Sequence, residues 1–395
     1  MRIHTFKSGE TLEEIAKQYG ITKECLLSYN INGAECPAEG EELLILTPTR
    51  THIIKEGDSL ERLAIRYGVW KSDILAQNPW ICAEGMTPGK TVILKYDDRM
   101  YGTAPTNGYL YPGYDKKRIE CTMPYLTYVT VCSAVADETG INFVFSDGEI
   151  VNKLLSENKI PLLHIFDKVK CRKLCTCEKR KAFINEIIDS AVSHKYMGIV
   201  LSATDEGCNF TNFGEFLIEL RRAMIGCELI LILEVDENVP PEICELADGN
   251  ILFYPKYATN PETSFNDGER SFYTGFAVYA ESAKAFIDIS ALARIEGGFL
   301  TIEEASNTAR KKGLCINTNN DTLISQFNEA GNGNCTFSSL GNVKSIYDII
   351  EEYGFMGASF DISRTPITHL LMYNALFKTA SHTNVRAPEG CSKER

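Results

Sequence analysis

The chain has 395 residues and a formal net charge of −13, which bounds it to two or three acidic domains. Its pI of about 5.1 argues against a nucleic-acid partner and against an anionic membrane surface. No stretch reaches the ~18 consecutive apolar residues of a spanning helix, so no membrane insertion is expected. From the N-terminus, Gly9-Glu10-Thr11-Leu12 returns as Gly57-Asp58-Ser59-Leu60, an offset of 48. Ile15/Leu63, Ala16/Ala64, Tyr19/Tyr67, Gly20/Gly68 and Asn30/Asn78 keep that offset, while Gly40 and Gly89 differ by one more. A fixed period of this size means two copies of one small module. In each copy a short strand (Ile3 to Phe6, His52 to Ile54) ends at Gly9 or Gly57. Thr11, with Glu14 three residues on, predicts a capping box; Ser59 predicts a cap without one, because position 62 is Arg. Leu12, Ile15, Ala16 and Tyr19 then fall on one helix face, and Leu60, Leu63, Ala64 and Tyr67 repeat it. A second short helix stops at Asn30 or Asn78, and a last strand (Leu43 to Leu46, Val92 to Leu94) follows a Gly turn.

This strand-helix-helix-strand order, with G-[DE]-[ST]-L, I/L-A-x-x-Y-G, Asn and a late P-G-x-x-[LV], resembles the LysM family in both copies. Copy one departs mildly, with Ala38-Glu39-Gly40 in place of Pro-Gly. The resemblance implies binding of N-acetylglucosamine polymers, peptidoglycan or chitin. It places the sugar groove at Gly9, Glu10, Thr11, Leu12, Asn30, Ile31 and Asn32, and at Gly57, Asp58, Ser59, Leu60, Asn78, Pro79 and Trp80. Tyr19 and Tyr67 read as core. Trp80, expected in a loop, reads as core or as a stacking platform.

After the repeat, Lys95 to about Asn107 reads as linker, followed by short apolar runs alternating with amphipathic helices. Predicted strands are Gly108–Tyr111, Leu126–Ser133, Pro161–Phe166, Gly198–Ala203, Leu229–Val235, Asn250–Tyr254, Ala283–Ile289 and Gly357–Ile362. Predicted helices include Lys179–Ser193, Asn212–Met224 and Val343–Tyr353. Eight strands in this order predict an α/β fold, a (β/α)8 TIM barrel behind two small βααβ modules, with chemistry at the C-terminal strand ends. The expected divisions are 1–48 and 49–96 for the modules, 97–107 for the linker, 108–380 for the barrel and 381–395 for a flexible tail.

Tyr109-Leu110-Tyr111-Pro112, the passage Lys195 to Thr204 with Phe210 to Arg221 behind it, the insert Phe299 to Ala305, and Tyr353 to Phe360 resemble glycoside hydrolase family 18 barrels. The resemblance extends to LysM-bearing spore N-acetylglucosaminidases. The family's fourth strand reads roughly D-G-x-x-x-D-x-E, its Glu the general acid and the preceding Asp the residue that orients the substrate's N-acetyl group. Aligned on Gly198, this chain has Met197, Ser202 and Thr204 at the three acidic positions. A threonine hydroxyl cannot protonate a glycosidic oxygen at neutral pH. The family's M-x-Y at the sixth strand is replaced by Phe253-Tyr254-Pro255, and its Trp at the eighth by Asp361. The expectation is therefore a glycan binder with a barrel that has lost hydrolase activity. The alternative is an active N-acetylglucosaminidase-like or chitinase-like hydrolase using a relocated acid, with Glu206 the substitute candidate. Glu234, Asp236, Asp288, Asp361 and His164 also fall near strand ends and read as rim or barrel-mouth groups, and Tyr109, Tyr128, Tyr254 and Tyr257 as core or as sugar-stacking rings.

The fourteen cysteines are scattered, and several, such as Cys25, Cys132, Cys227 and Cys244, sit in apolar runs that suit reduced thiols. Cys171, Cys175 and Cys177 have the spacing of a thiolate set without an obvious fourth ligand, so no metal and no cofactor is expected, and crosslinking stays open. Met1 to Thr5 run straight into the first module, so no signal peptide is expected. A wall binder made in the cytoplasm fits deposition on a spore coat, cortex or cell wall, with coat or cortex proteins as further partners.

Overall fold

A computed structural model describes residues 1–30, 36–96, 101–167, 176–204, 209–254, 263–289, 291–329 and 333–378. Eight strands form the barrel: β1 (Thr106–Leu110), β2 (Tyr128–Asp137), β3 (Ile160–Asp167), β4 (Gly198–Ser202), β5 (Ile230–Val235), β6 (Gly249–Leu252), β7 (Ala285–Ile289) and β8 (Gly357–Asp361). Each is parallel to its neighbours, and the ring closes because β1 pairs with both β2 and β8. All eight predicted strands are present. They were legible because a strand covered on both faces is apolar almost throughout, as in Ile230–Val235 with its single polar residue, Glu234. Tyr109, Leu162, Val200, Ile232, Ile251 and Phe286 fill the barrel interior. The larger core lies between the strands and the outer helices.

The predicted helices run Cys177–Ser193, Phe210–Met224 and Leu340–Glu352, capped by the side chains of Thr176, Asn209 and Ser339. Between β5 and β6 the crossover helix shrinks to Pro241–Cys244. Cys177, exposed and reduced, opens its helix, while Cys171 and Cys175 lie outside the described residues. Cys227, expected as a reduced thiol, is disulfide-bonded. No helix among the described residues is long and apolar enough to cross a membrane.

Three features depart from expectation. The insert reaches well beyond Phe299 to Ala305. It is a five-stranded antiparallel sheet (Leu292–Ile295, Gly298–Thr301, Asn317–Thr318, Ile324–Glu329, Gly333–Ser338) with the helix Ile302–Lys312 packed on it. Its strands, such as ISQFNE and GNCTFS, alternate buried and exposed residues and carry no apolar run. A short strand, Gly140–Phe143, folds back antiparallel on β2. The expected linker is partly barrel: Gly102–Thr103 pairs with Phe377–Lys378, and Thr106 and Asn107 begin β1 fully buried.

Both modules have the expected strand-helix-helix-strand form. The first runs Arg2–Thr5, Leu12–Tyr19, Lys23–Asn30 and Glu42–Ile45. The second runs Pro48–Ile53, Leu60–Tyr67, Lys71–Gln77 and Thr91–Tyr96, with an additional short helix, Trp80–Glu84. Each has its own small core, around Ile15 and Leu26 or Leu63 and Ile74. A module of roughly 45 residues is marginal alone, and here both are docked. Tyr29, Leu44 and Leu46 of the first, with Ala76, Ile93 and Tyr96 of the second, join the barrel's outer core.

Candidate functional site

The two predicted grooves carry a duplicated polar relay. His4 Nε2 donates to Glu10 at 3.0 Å, and its Nδ1 meets the Tyr19 hydroxyl at 3.1 Å. In copy two, His52 Nε2 donates to Asp58 at 2.7 Å and its Nδ1 meets Tyr67 at 2.9 Å. With Nε2 donating to a carboxylate, Nδ1 of a neutral ring accepts from the tyrosine. The Lys7 and Lys55 amides each add a 2.8 Å bond to the same carboxylate. Arg2 and Arg50 lie over the two tyrosine rings. Gly9 and Gly57, at φ of +86° and +83°, make the turns that bring the carboxylates back to the strand. Tyr19 and Tyr67 are thus half-buried and hydrogen-bonded rather than simply core. The relay was missed although the signal was present: His4/His52 and Arg2/Arg50 share the offset of 48.

Gly9, Thr11 and Gly57 are exposed; Glu10, Asp58, Ser59 and Leu60 are half-buried; Leu12 is buried. Thr11 forms the capping box with Glu14, and Ser59 caps its helix without one. Asn78 is fully enclosed. Its amide donates to Ile74 and Ile93 carbonyls and accepts from Ile93 N, tying the second helix to the last strand. Asn30 does the same through Leu26 and Leu44. These asparagines support the groove, and buried Pro79 likewise presents no surface to a sugar. Trp80 opens a helix instead of sitting in a loop, half-buried, with the Lys90 ammonium 5.1 Å from its ring centre. Ile31 and Asn32 lie outside the described residues.

Both relay carboxyls are held below the usual carboxylate range. Burial pushes Glu10 up, but the Lys7 amide and His4 outweigh it; at Asp58 the His52 bond leads, followed by the Lys55 amide. A depressed folded-state pKa stabilises above the unfolded value, and that contribution is lost as pH falls through the folded value. The melting temperature should therefore fall more steeply between about pH 5 and pH 2 in the wild type than in a His4→Phe, His52→Phe double variant. Equal slopes in a thermal scan would remove the relays from the stability of the modules.

At the barrel mouth, Ser202 ends β4 and Thr204 follows it, both half-buried, their hydroxyl oxygens 3.0 Å apart. One carboxylate at the mouth comes from the next strand. Glu234 lies in register with Ser202. It accepts from Tyr109 Oη at 2.8 Å and from His164 Nε2 at 3.1 Å, and Ser202 bonds it as well. Ser202 has one proton to give; with that proton on Glu234, the Thr204 hydroxyl donates to Ser202. Burial pushes the Glu234 carboxyl up, but the facing His164 and the three hydrogen bonds outweigh it and hold it below the usual range. Burial also keeps Tyr109 protonated, its pKa raised well above the ordinary tyrosine value. Glu234 is thus an ionised acceptor at neutral pH, with no proton to offer a leaving group.

Other candidates stand at neighbouring strand ends. Asp236 accepts from the Asn238 amide, and Asp361 from the Ser363 amide with Arg364 3.5 Å away. Asp288, half-buried near the end of β7, lines a cavity of about 70 Å³ together with Tyr254. Tyr109 is enclosed and bound to Glu234. Tyr128 begins β2, so it stands at the end opposite the mouth, against Phe286. Tyr111, just past β1, is exposed and stacked on Tyr109 with ring centres 6.0 Å apart. Glu206 and Tyr257 lie outside the described residues.

Residues 4–38 and 52–94 match the LysM domain model. No curated relative matches the sequence. The fold is similar to that of the spore cortex-lytic enzyme SleL of Bacillus cereus at 16% identity, with a TM-score of 0.74 over 96% of this chain and 98% of that one. SleL of Bacillus megaterium QM B1551 aligns at 14% identity and a TM-score of 0.73, over 96% and 99%. A chitinase of Chromobacterium violaceum aligns at 16% identity and a TM-score of 0.60, over 69% of this chain and 99% of its own. The chain thus joins two LysM modules, a carbohydrate-binding family, to a closed (β/α)8 barrel with the fold of SleL and the family 18 chitinases.

Proposed function

We propose that the protein binds N-acetylglucosamine-containing glycan, peptidoglycan or chitin, through its two LysM modules, and that its barrel is a non-hydrolysing partner of those modules. The observation that carries the second half is the mouth itself. Two hydroxyls, Ser202 and Thr204, occupy the positions aligned with the family's carboxylates, and the neighbouring Glu234 is held ionised. Glycosidic cleavage needs a protonated carboxyl at the leaving oxygen, and no residue of this network supplies one. Two docked modules on one chain suit a repeating polymer, where the second contact is intramolecular. Likeness in fold to two spore cortex-lytic enzymes supports a spore or cell-wall setting.

The test is a paired assay on purified protein. Pull-down on insoluble peptidoglycan and on chitin is run beside release of reducing ends from N-acetylglucosamine oligomers and spore cortex. Retention without release is expected, unchanged by Glu206→Gln. Trp80→Ala should weaken retention about tenfold, roughly 1.4 kcal/mol, with the helical signal intact. Release that disappears in the Glu206→Gln variant would replace this reading with that of a hydrolase using a relocated acid.

A further inference from the structure

Module two meets the barrel along a built seam. The Tyr125 hydroxyl of the barrel donates to Ala76 O at 2.6 Å, while the Tyr96 hydroxyl bonds Gln77 O at 3.2 Å within module two. Beside these bonds the short helix Trp80–Glu84 packs against the barrel's first helix, Lys116–Thr122. Each helix places one cysteine in the contact. Cys82 Sγ lies 3.9 Å from Glu120 O, the carbonyl next to Cys121, and the two thiols interact directly with each other. Both are reduced and half-buried. Neither takes part in a groove relay or in the barrel mouth.

We propose that Cys82 and Cys121 are a closable pair, oxidised to an intramolecular disulfide that fixes module two to the barrel. The contact is between helices already packed, so closure joins segments that are neighbours in the fold. The oxidant class is a low-molecular-weight disulfide. One cysteine thiolate attacks a sulfur of the reagent, forming a mixed disulfide and releasing one reagent thiol. The second cysteine, giving up its proton, attacks the protein sulfur of that mixed disulfide and expels the second reagent thiol. Two protein thiols become one disulfide, and one reagent disulfide becomes two thiols, so atoms and electrons balance. Burial, with Cys121 beside it, pushes the Cys82 thiol up to about 12. Cys82 therefore presents little thiolate, so its oxidation calls for excess reagent.

The experiment treats the folded full-length protein with excess oxidised glutathione, blocks remaining thiols by alkylation, and maps digested peptides by mass spectrometry. The expected result is a linked peptide joining Cys82 to Cys121, two hydrogens lighter than its parts and lost on reduction. Thermal melting of the oxidised protein should rise by about 2–4 °C, with no rise for Cys82→Ser or Cys121→Ser. Peptide mapping of the wild type decides the matter even if a serine variant fails to fold. Separate alkylated or glutathionylated Cys82 and Cys121 peptides from folded protein would overturn the proposal. So would crosslinks confined to the exposed Cys36, Cys177 or Cys315. Equal yield of the linked peptide from urea-unfolded protein would overturn it too, because the fold would then contribute nothing to the pairing.

Discussion

Replacing Glu41 with alanine is expected to destabilise the protein by roughly 3–5 kcal/mol. Glu41 belongs to module one and Arg310 to the insert helix, and their side chains are only 9% and 6% exposed. Arg310 Nε donates to Glu41 Oε2 at 2.9 Å, Nη2 donates to Oε1, and the Ala38 amide holds the same carboxylate. Around the pair, Ile316 N donates to Glu39 O at 2.7 Å, and a Cβ on Gly40 would fall 1.7 Å from Ile316 O. Backbone contacts hold the seam on both sides, while the pair itself lines a cavity of about 80 Å³. Removing Glu41 leaves a buried charge whose remaining acceptors, among the described residues, are the Asn30 carbonyl and the Asn307 side chain. The Arg310→Met, Glu41→Ala pair should recover most of the loss, since two apolar side chains replace two charges. Urea unfolding of the single and double variants checks this. A single variant as stable as the double would mean that the pair is hydrated in solution.

The second large effect is at the strand that closes the barrel. Gly357→Ala is expected to cost about 3 kcal/mol or to prevent folding. A Cβ there would sit 1.9 Å from Pro105 O and 3.1 Å from the Tyr373 hydroxyl. That carbonyl cannot swing away. Tyr373 donates to it at 3.1 Å, and the residues after it, Thr106 and Asn107, are paired in register with Ala358 and Ser359. Opening the contact therefore pulls β1 from β8. The matched control is Gly275→Ala, in the helix Ser271–Tyr279 with open space around its Cβ. It should be neutral or stabilise by about 0.5–1 kcal/mol. Soluble yield and the unfolding midpoint of the two variants read the difference. Equal midpoints would show that β1 can shift at little cost.

The positions of success and failure in the sequence reading follow the range of the interactions. The modules were legible because their signals are local: a capping box within four residues, a helix face within eight, and one period that repeats both. Central barrel strands such as Ile230–Val235 were legible because they are apolar on both faces. The insert was not, since its strands are half-polar and its helix carries only Ile302, Ala305 and Ala309 inward. Trp80 was misplaced because a five-residue helix leaves too short a pattern to see.

The site divides along the same line. Ser202 and Thr204 could be read at once as hydroxyls in positions that the family resemblance makes acidic, and that reading needs no structure. Glu234 could only be read as one of several mouth carboxylates. Its partners, Tyr109, His164 and Ser202, come from three other strands, the farthest 125 residues away in the chain.

Sequence by itself determined the two LysM modules, the order of the βα units, and the hydroxyls at Ser202 and Thr204, because each depends on side-chain identity at fixed short spacing. Only the tertiary structure decided which partners meet Glu234 in the barrel mouth. It alone also decided that the modules are docked on the barrel and which cysteines meet. Those outcomes depend on ring closure and on packing between segments far apart in the chain, and a spacing pattern carries no record of either.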